Sequence, residues 1–125
     1  MESIEKIKGW HAHVYFDEGE CETREKAKAL MALAEDNLAN AEVGDWRDSG
    51  SGPHPGPNFL VEFRWDAYGE IVPWLSLNRD GLSVLVHPMT GDAPSDHSTY
   101  AMWMGDKLDV HLDRFSGRHD KKFGL

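Results

Sequence analysis

Several hallmarks of common protein classes are missing from this chain of 125 residues. It contains one cysteine, Cys21, so it has neither the pair needed for an internal disulfide nor the thiol set of a zinc ribbon, and we take Cys21 to be inert. No segment approaches the roughly 20 apolar residues of a membrane span. The first residues also lack the apolar core of a signal peptide. We therefore expect a cytoplasmic protein.

Positive charge is scarce as well. The chain has 13 lysine and arginine residues against 22 aspartate and glutamate residues, which gives a formal net charge of -9. An acidic surface repels phosphate backbones and anionic lipid headgroups, so we expect neither nucleic acid nor a membrane as a partner. The glycine-rich phosphate loop and the Gly-x-Ser-x-Gly elbow of many hydrolases are also absent from the sequence. Metal-assisted chemistry is the class that remains open.

The composition is that of an ordinary globular protein, with 40% hydrophobic residues, 28% charged residues and five tryptophans. A chain of this length is large enough to bury a core of its own. We therefore expect residues 1–125 to form a single domain.

Hydrophobic periodicity and turn residues predict six elements in the order strand, helix, strand, strand, helix, strand. Their predicted bounds are 10–16, 23–40, 42–47, 59–65, 67–78 and 82–87. Thr23 is a candidate cap of the first helix, Pro73 is expected to break or kink the second, and Pro88 is expected to end the last strand. Segments 100–104 and 108–112 are expected to form an added hairpin.

This order is that of the α+β ferredoxin-like fold, βαββαβ, here with a C-terminal extension. The usual sheet of that fold is antiparallel, with the first strand between the third and the fourth. The extension ends in the charged segment 118–125, which we expect to be a poorly ordered tail.

Seven histidines stand out in this background, and three of them fall on strands that are predicted to be neighbours. His11 and His13 share one face of the first strand, opposite Ala12 and Val14, because side chains alternate along a strand. His87 ends the adjacent strand, so the topology brings the three together. Neutral imidazole is the commonest metal ligand in proteins, and the first pair can also act as one ligand and one acid or base. A solvated strand face is the alternative.

Two further histidines lie in predicted loops. His54 stands between two prolines that stiffen the backbone, so it is a candidate catalytic or ligating residue, or an incidental residue of a rigid turn. His97 is a candidate fourth ligand or proton shuttle, while the preceding Asp96 can equally be a cap of the following turn. We expect His111 and His119 to lie on the surface.

Other side chains are candidates for holding a substrate. Arg64 and Arg79 can bind a substrate carboxylate through paired hydrogen bonds. Tyr15 and Trp103 can stack on a flat ring if they line the histidine face. Glu62 can be the carboxylate that non-haem iron sites combine with two histidines, although an ion pair with Arg64 or a surface position is the favoured expectation.

Taken in order, these motifs resemble the small DOPA 4,5-dioxygenase family of fungi and bacteria over almost the whole chain. The segments that carry the resemblance are HAHVYFD at 11–17, GPHPGPNF at 52–59, WLSLNRDGLSVLVHPMTGD at 74–92, and the DH pair at 96–97 followed by WMG at 103–105. The resemblance implies a ferredoxin-like domain that forms a homodimer. It also implies ring opening of a catechol such as L-DOPA, beside its two hydroxyls, with ferrous iron and dioxygen; zinc or another divalent ion can take the place of iron in purified protein.

On that mechanism His11, His13 and His87 bind the iron, while His54 or His97 takes a catechol proton and returns it during ring opening. The alternative is a non-catalytic dimeric module that binds a metal or an aromatic ligand on the same face. An open coordination position distinguishes the enzyme from the module. A cofactor-free monooxygenase of the same fold ranks last, because it leaves the motif histidines without a role.

Overall fold

The structure is a computed structural model that describes residues 1–19 and 21–115. Within those residues it is a mixed α/β protein with one five-stranded antiparallel sheet and three α-helices. The strands are β1 (Gly9–Tyr15), β2 (Ala41–Arg47), β3 (Asn58–Arg64), β4 (Val84–Met89) and β5 (Met102–Met104). The helices are α1 (Glu22–Asn37), α2 (Tyr68–Asn78) and α3 (Ala93–Asp96), with 3₁₀ turns at Ile4–Lys6 and Trp65–Ala67. No helix in this described part is long and apolar enough to cross a membrane.

The sheet has the strand order β2-β3-β1-β4-β5. The first strand therefore lies between the third and the fourth, as the sequence predicts, and each neighbouring pair is antiparallel. In this register His11 lies directly between Glu62 of β3 and His87 of β4. Three chemically active side chains thus stand in one row across the centre of the sheet.

The two faces of the sheet have different roles. One face packs against α1 and α2, because alternation along each strand sends its apolar side chains to that side. The core formed there includes Ala12, Val14, Phe16, Leu30, Ala34, Phe59, Val61, Phe63, Ile71, Leu75, Val84 and Val86. The opposite face carries His11, His13 and His87, which are only 7%, 6% and 1% exposed. The sequence predicts this division of faces.

The start of α1 differs from the prediction. The cap residue is Cys21, not Thr23, and the helix ends at Asn37 before it reaches Asn40. The Thr23 hydroxyl instead accepts a hydrogen bond from the backbone N–H of Asp17, at 2.8 Å. This bond closes the loop between β1 and α1, and Thr23 lies two residues beyond the cap position.

Two prolines do not interrupt their elements. Helix α2 continues through Pro73, since the hydrogen bond that proline omits would run to the carbonyl of Gly69, which is exposed to water at the start of the helix. Strand β4 continues through Pro88 to Met89. The backbone N–H of Tyr15 donates to the carbonyl of Ser83, and hydrogen-bonded pairs alternate along the ladder, so the nitrogen of Pro88 points away from β1 and toward β5. Strand β5 pairs only with residues 84–86 of β4, so no hydrogen bond is lost at Pro88.

The C-terminal region holds the largest departure from the predicted elements. Strand β5 pairs with β4, but residues 108–112 form no strand, so the expected hairpin is absent. Helix α3, in the segment expected to be a loop, was not predicted because it is a single turn without apolar periodicity. The expected tail at 118–125 lies outside the described residues.

Candidate metal centre

Three histidines meet on the open face of the sheet. Each of His11, His13 and His87 offers a ring nitrogen, and these nitrogens lie within 4.8 Å of one another. The ring centroids are 5.7 Å apart for His11 and His13, 5.2 Å for His11 and His87, and 5.3 Å for His13 and His87. The convergence predicted from topology is therefore present in the geometry.

Hydrogen bonds determine which nitrogen two of these rings offer. The Asn58 amide donates to the carbonyl of Gly56, so its oxygen accepts from Nδ1 of His13, at 3.2 Å. Nδ1 of His87 donates to the carbonyl of Pro88, at 3.0 Å. In both rings Nε2 therefore carries the lone pair, and both Nε2 atoms are buried without a hydrogen-bond partner. Two buried lone pairs without a partner are what a metal ion would satisfy.

The electrostatics keep these rings neutral. Burial, followed by the charges of His54, His87 and His11, holds the pKa of His13 well below its ordinary value. Burial and then His97 hold the pKa of His87 well below it in the same way. A neutral imidazole keeps the lone pair that coordination needs at physiological pH.

The two loop histidines close over this face. His54 lies 4.0 Å from His13 between ring centroids, and His97 lies 3.9 Å from His87. Ring nitrogens of His13, His54 and His97 form a second group within 4.8 Å. His97 donates from Nδ1 to the carbonyl of Ala93 at 2.8 Å, which leaves Nε2 with a lone pair.

His54 is linked to Tyr15, whose hydroxyl lies 2.7 Å from its Nδ1. Burial raises the pKa of Tyr15, so the phenol stays protonated. Burial and the neighbouring His97 lower the pKa of His54 to about 4, so its imidazole stays neutral. The pair forms a short hydrogen-bonded path from the histidine cluster to the end of β1.

Tight loop packing places His54. Its backbone N–H donates to Ser51, and a Cβ on Gly50 would lie 2.7 Å from the His54 carbonyl oxygen, so only glycine fits there. The backbone N–H of His111 donates to the carbonyl of Pro53 at 2.7 Å. His111 is thus half-buried and supports the loop, whereas a purely surface position was expected; His119 lies outside the described residues.

Asp96 places His97. Its carboxylate accepts from the backbone N–H of Thr90 at 3.0 Å and from the Thr90 hydroxyl at 2.6 Å. These bonds tie α3 to the end of β4, which carries His87. Asp96 is 1% exposed, and through these bonds it fixes the segment that carries His97, in place of the cap of the following turn that was one of two equal expectations.

The structure overturns the favoured expectation for Glu62. This residue is 1% exposed, so it is not a surface glutamate, and its Oε2 lies 2.7 Å from Nε2 of His11. Its other oxygen, Oε1, has no hydrogen-bond partner. Period-two alternation along NFLVEFR was the signal that could have placed Glu62 on the histidine face, although not opposite His11 in particular.

The four candidate substrate-binding residues are distributed unevenly. Tyr15 and Trp103 stack with ring centroids 5.8 Å apart and line one side of the histidine face. Arg79 donates to the carbonyl of Leu82 at 2.8 Å, and Arg64 is exposed at the end of β3. For all four, a contact with substrate stays a prediction.

A cavity of about 690 Å³ opens beside Tyr15. Segments 15–18, 55–57, 81–83 and 106–109 contribute most of its wall. Its size suits a small aromatic molecule, since ligand pockets commonly measure about 300–1,000 Å³. The Tyr15 hydroxyl connects this cavity to His54 and so to the histidine cluster.

Comparison with known proteins gives consistent matches. The model of the Dopa 4,5-dioxygenase family matches residues 10–114. DOPA 4,5-dioxygenase of Amanita muscaria is 28% identical over 122 residues, which cover 93% of this chain and 53% of that protein. An uncharacterized 21.2 kDa protein of Botryotinia fuckeliana is 32% identical over 108 residues, covering 80% of this chain and 59% of that protein. The chain thus spans a little over half the length of these two relatives.

A solved structure is also similar. It is that of a candidate dioxygenase from Nostoc punctiforme, with 41% sequence identity and a TM-score of 0.80. The match covers 90% of this chain and 95% of the other.

Proposed function

Because the chain belongs to the Dopa 4,5-dioxygenase family, we propose that it is a non-haem iron dioxygenase that opens the ring of a catechol such as L-DOPA beside its hydroxyls. The observation that carries the proposal is the convergence of His11, His13 and His87, with one ring nitrogen of each within 4.8 Å of the others, together with the buried, partnerless Nε2 atoms of His13 and His87. The residues therefore fit a divalent metal ion. When bound, ferrous iron would supply Lewis acidity toward the catechol oxygens and electrons for dioxygen.

The remaining histidines have the geometry for proton transfer. Nε2 of His97 carries a lone pair, and His54 is a neutral imidazole in contact with His13. Either ring can accept a catechol proton and return it to the product. The hydroxyl of Tyr15 extends this path from His54 toward the cavity.

The substrate would enter from the cavity beside Tyr15. Tyr15 lines this cavity and offers an aromatic ring to a flat catechol, with Trp103 stacked against it. Burial of His11, His13 and His87 strengthens the charge interactions among them. Arg64 and Arg79 are retained as candidates for the substrate carboxylate.

The proposal also includes a fold class and an oligomeric state. The element order, with β1 between β3 and β4, supports a ferredoxin-like class for the fold. A homodimer follows from the family resemblance, and light scattering coupled to size-exclusion chromatography tests it.

The test of function is anaerobic reconstitution with Fe(II), followed by oxygen and L-DOPA. We expect a yellow ring-opened product and uptake of one dioxygen per substrate, with both lost in His87→Ala and retained in His111→Ala. If no metal binds and no oxygen is consumed across a panel of catechols, the proposal is wrong.

One observation favours a second candidate, a non-catalytic metal-binding module. Five histidines converge on one face, with His54 and His97 near enough to complete a four-ligand site. A closed four-ligand site is structural, whereas a catalytic site keeps a position open. X-ray absorption of the metal-loaded protein would distinguish them, since four histidine nitrogens without an exchangeable ligand would favour the module.

A further inference from the structure

We propose that Glu62 is a positioning residue of the metal centre, which acts through His11 by holding its Nε2–H and thereby presenting Nδ1 to the metal. The proposal rests on the metal centre described above but not on catechol as the substrate. It also makes Glu62 the negative charge that balances the bound cation. Nothing in the sequence alone favoured this role over an ion pair with Arg64.

The contact between the two side chains is short and rigid. His11 and Glu62 are register partners on β1 and β3, and their Nε2 and Oε2 atoms lie 2.7 Å apart. Hydrogen-bonded and non-hydrogen-bonded pairs alternate along an antiparallel ladder, and the backbone N–H of Phe16 donates to the carbonyl of Pro57. Counting back from that pair, His11 and Glu62 form a non-hydrogen-bonded pair, the kind in which facing side chains are closest. A charge-assisted bond of this length inside a sheet allows the ring little rotation.

The three rings of the inner group are each held by a different acceptor. Asn58 holds Nδ1 of His13, the carbonyl of Pro88 holds Nδ1 of His87, and Glu62 holds Nε2 of His11. Such outer acceptors set the tautomer and orientation of metal-binding histidines. Of the three, only Glu62 can carry a charge, and it selects the opposite nitrogen.

The second oxygen of Glu62 points to the same conclusion. Oε1 is buried and has no hydrogen-bond partner, although Glu62 is only 1% exposed. An ionised carboxylate in such a place is costly unless a positive charge lies nearby. A divalent ion among His11, His13 and His87 would provide that charge.

The affinity test is titration of the metal-free protein with Co²⁺, followed by its visible absorption. We expect Glu62→Ala to weaken Co²⁺ binding by about 10-fold to 100-fold. Glu62→Gln keeps an oxygen that can accept from His11 but removes the charge, so it should retain the fold and lose part of the affinity. Glu42→Gln is the matched control, because Glu42 is the exposed register partner of Glu62 on β2 and should leave Co²⁺ affinity unchanged.

The positioning test uses the diamagnetic Zn²⁺-loaded protein and long-range ¹H–¹⁵N spectra of the imidazoles. We expect His11 to be metal-bound through Nδ1, with His13 and His87 bound through Nε2, and we expect the His11 signature alone to change in Glu62→Gln. The proposal is overturned if His11 binds the metal through Nε2. It is also overturned if both Glu62 variants bind Co²⁺ as tightly as the wild type. If wild type binds neither ion, both this proposal and the metal centre fail, whereas normal binding without catechol turnover refutes the enzymatic function alone.

Discussion

Acidification of the metal-free protein should destabilise it steeply, because its buried histidines resist protonation. The pKa of His54 falls from 6.5 to about 4, and those of His13 and His87 also lie well below the ordinary value. An unfolded chain takes up a proton at each of these rings below about pH 6.5, whereas the folded chain does not. The free energy of unfolding therefore has its full value above pH 6.5 and decreases as the pH falls toward 4.

The size of the effect follows from linkage. For His54 alone the lowered pKa corresponds to a loss of about 3 kcal/mol by pH 4. His13 and His87, whose pKa values are lowered in the same direction by burial, add to this loss. Since a domain is commonly stable by about 5–15 kcal/mol, we expect the metal-free protein to lose a substantial part of its stability as the pH falls from 6.5 to 4.

The assay is urea unfolding at a series of pH values from 7.5 to 5, followed by tryptophan fluorescence and circular dichroism. His54→Asn should reduce the slope by about 1.4 kcal/mol per pH unit, since one titrating group is lost. His111→Asn, which lies outside both histidine groups, is the control and should keep the wild-type slope. A free energy of unfolding that stays constant over this range, or an equal slope in His54→Asn, would refute the reasoning.

Three other outcomes are expected. His87→Ala should weaken Co²⁺ binding by more than about 100-fold, since it removes a ligand and not merely an outer partner; absorbance titration measures this, and unchanged affinity would remove His87 from the site. Tyr15→Phe should lower kcat for catechol-dependent oxygen uptake by about 10-fold to 100-fold at unchanged metal content, because it breaks the proton path to His54. Asp96→Asn should cost about 1–3 kcal/mol in urea unfolding by weakening the clamp on Thr90, and a wild-type midpoint would contradict that role.

The parts of this protein that follow from sequence are those with strict periodicity. Alternation along WHAHVYF separates the core face from the histidine face, and the order of elements places β1 between β3 and β4. Those two inferences are sufficient to bring His11, His13 and His87 together, as the structure confirms.

What could not be predicted depends on pairing and on long-range contacts. Pro88 stays within a strand because its nitrogen faces the β5 side of β4, beyond the last residue that β5 pairs with, and the sequence does not reveal this. The partner of Glu62 is set by the register between β1 and β3, and local sequence leaves that register open. The position of His97 depends on the bond between Asp96 and Thr90, which joins a one-turn helix that carries no periodic signal.

The two histidine groups overlap at one residue, and this overlap limits stoichiometry. His13 belongs to both groups, yet its Nδ1 is engaged with Asn58 and its ring has a single lone pair, on Nε2. When one ion is bound by His11, His13 and His87, a second ion therefore cannot use His13 together with His54 and His97. Occupancy of the two groups is mutually exclusive, so titration should saturate at one ion per chain, and an ion that moves between them would exchange His11 and His87 for His54 and His97 while keeping His13.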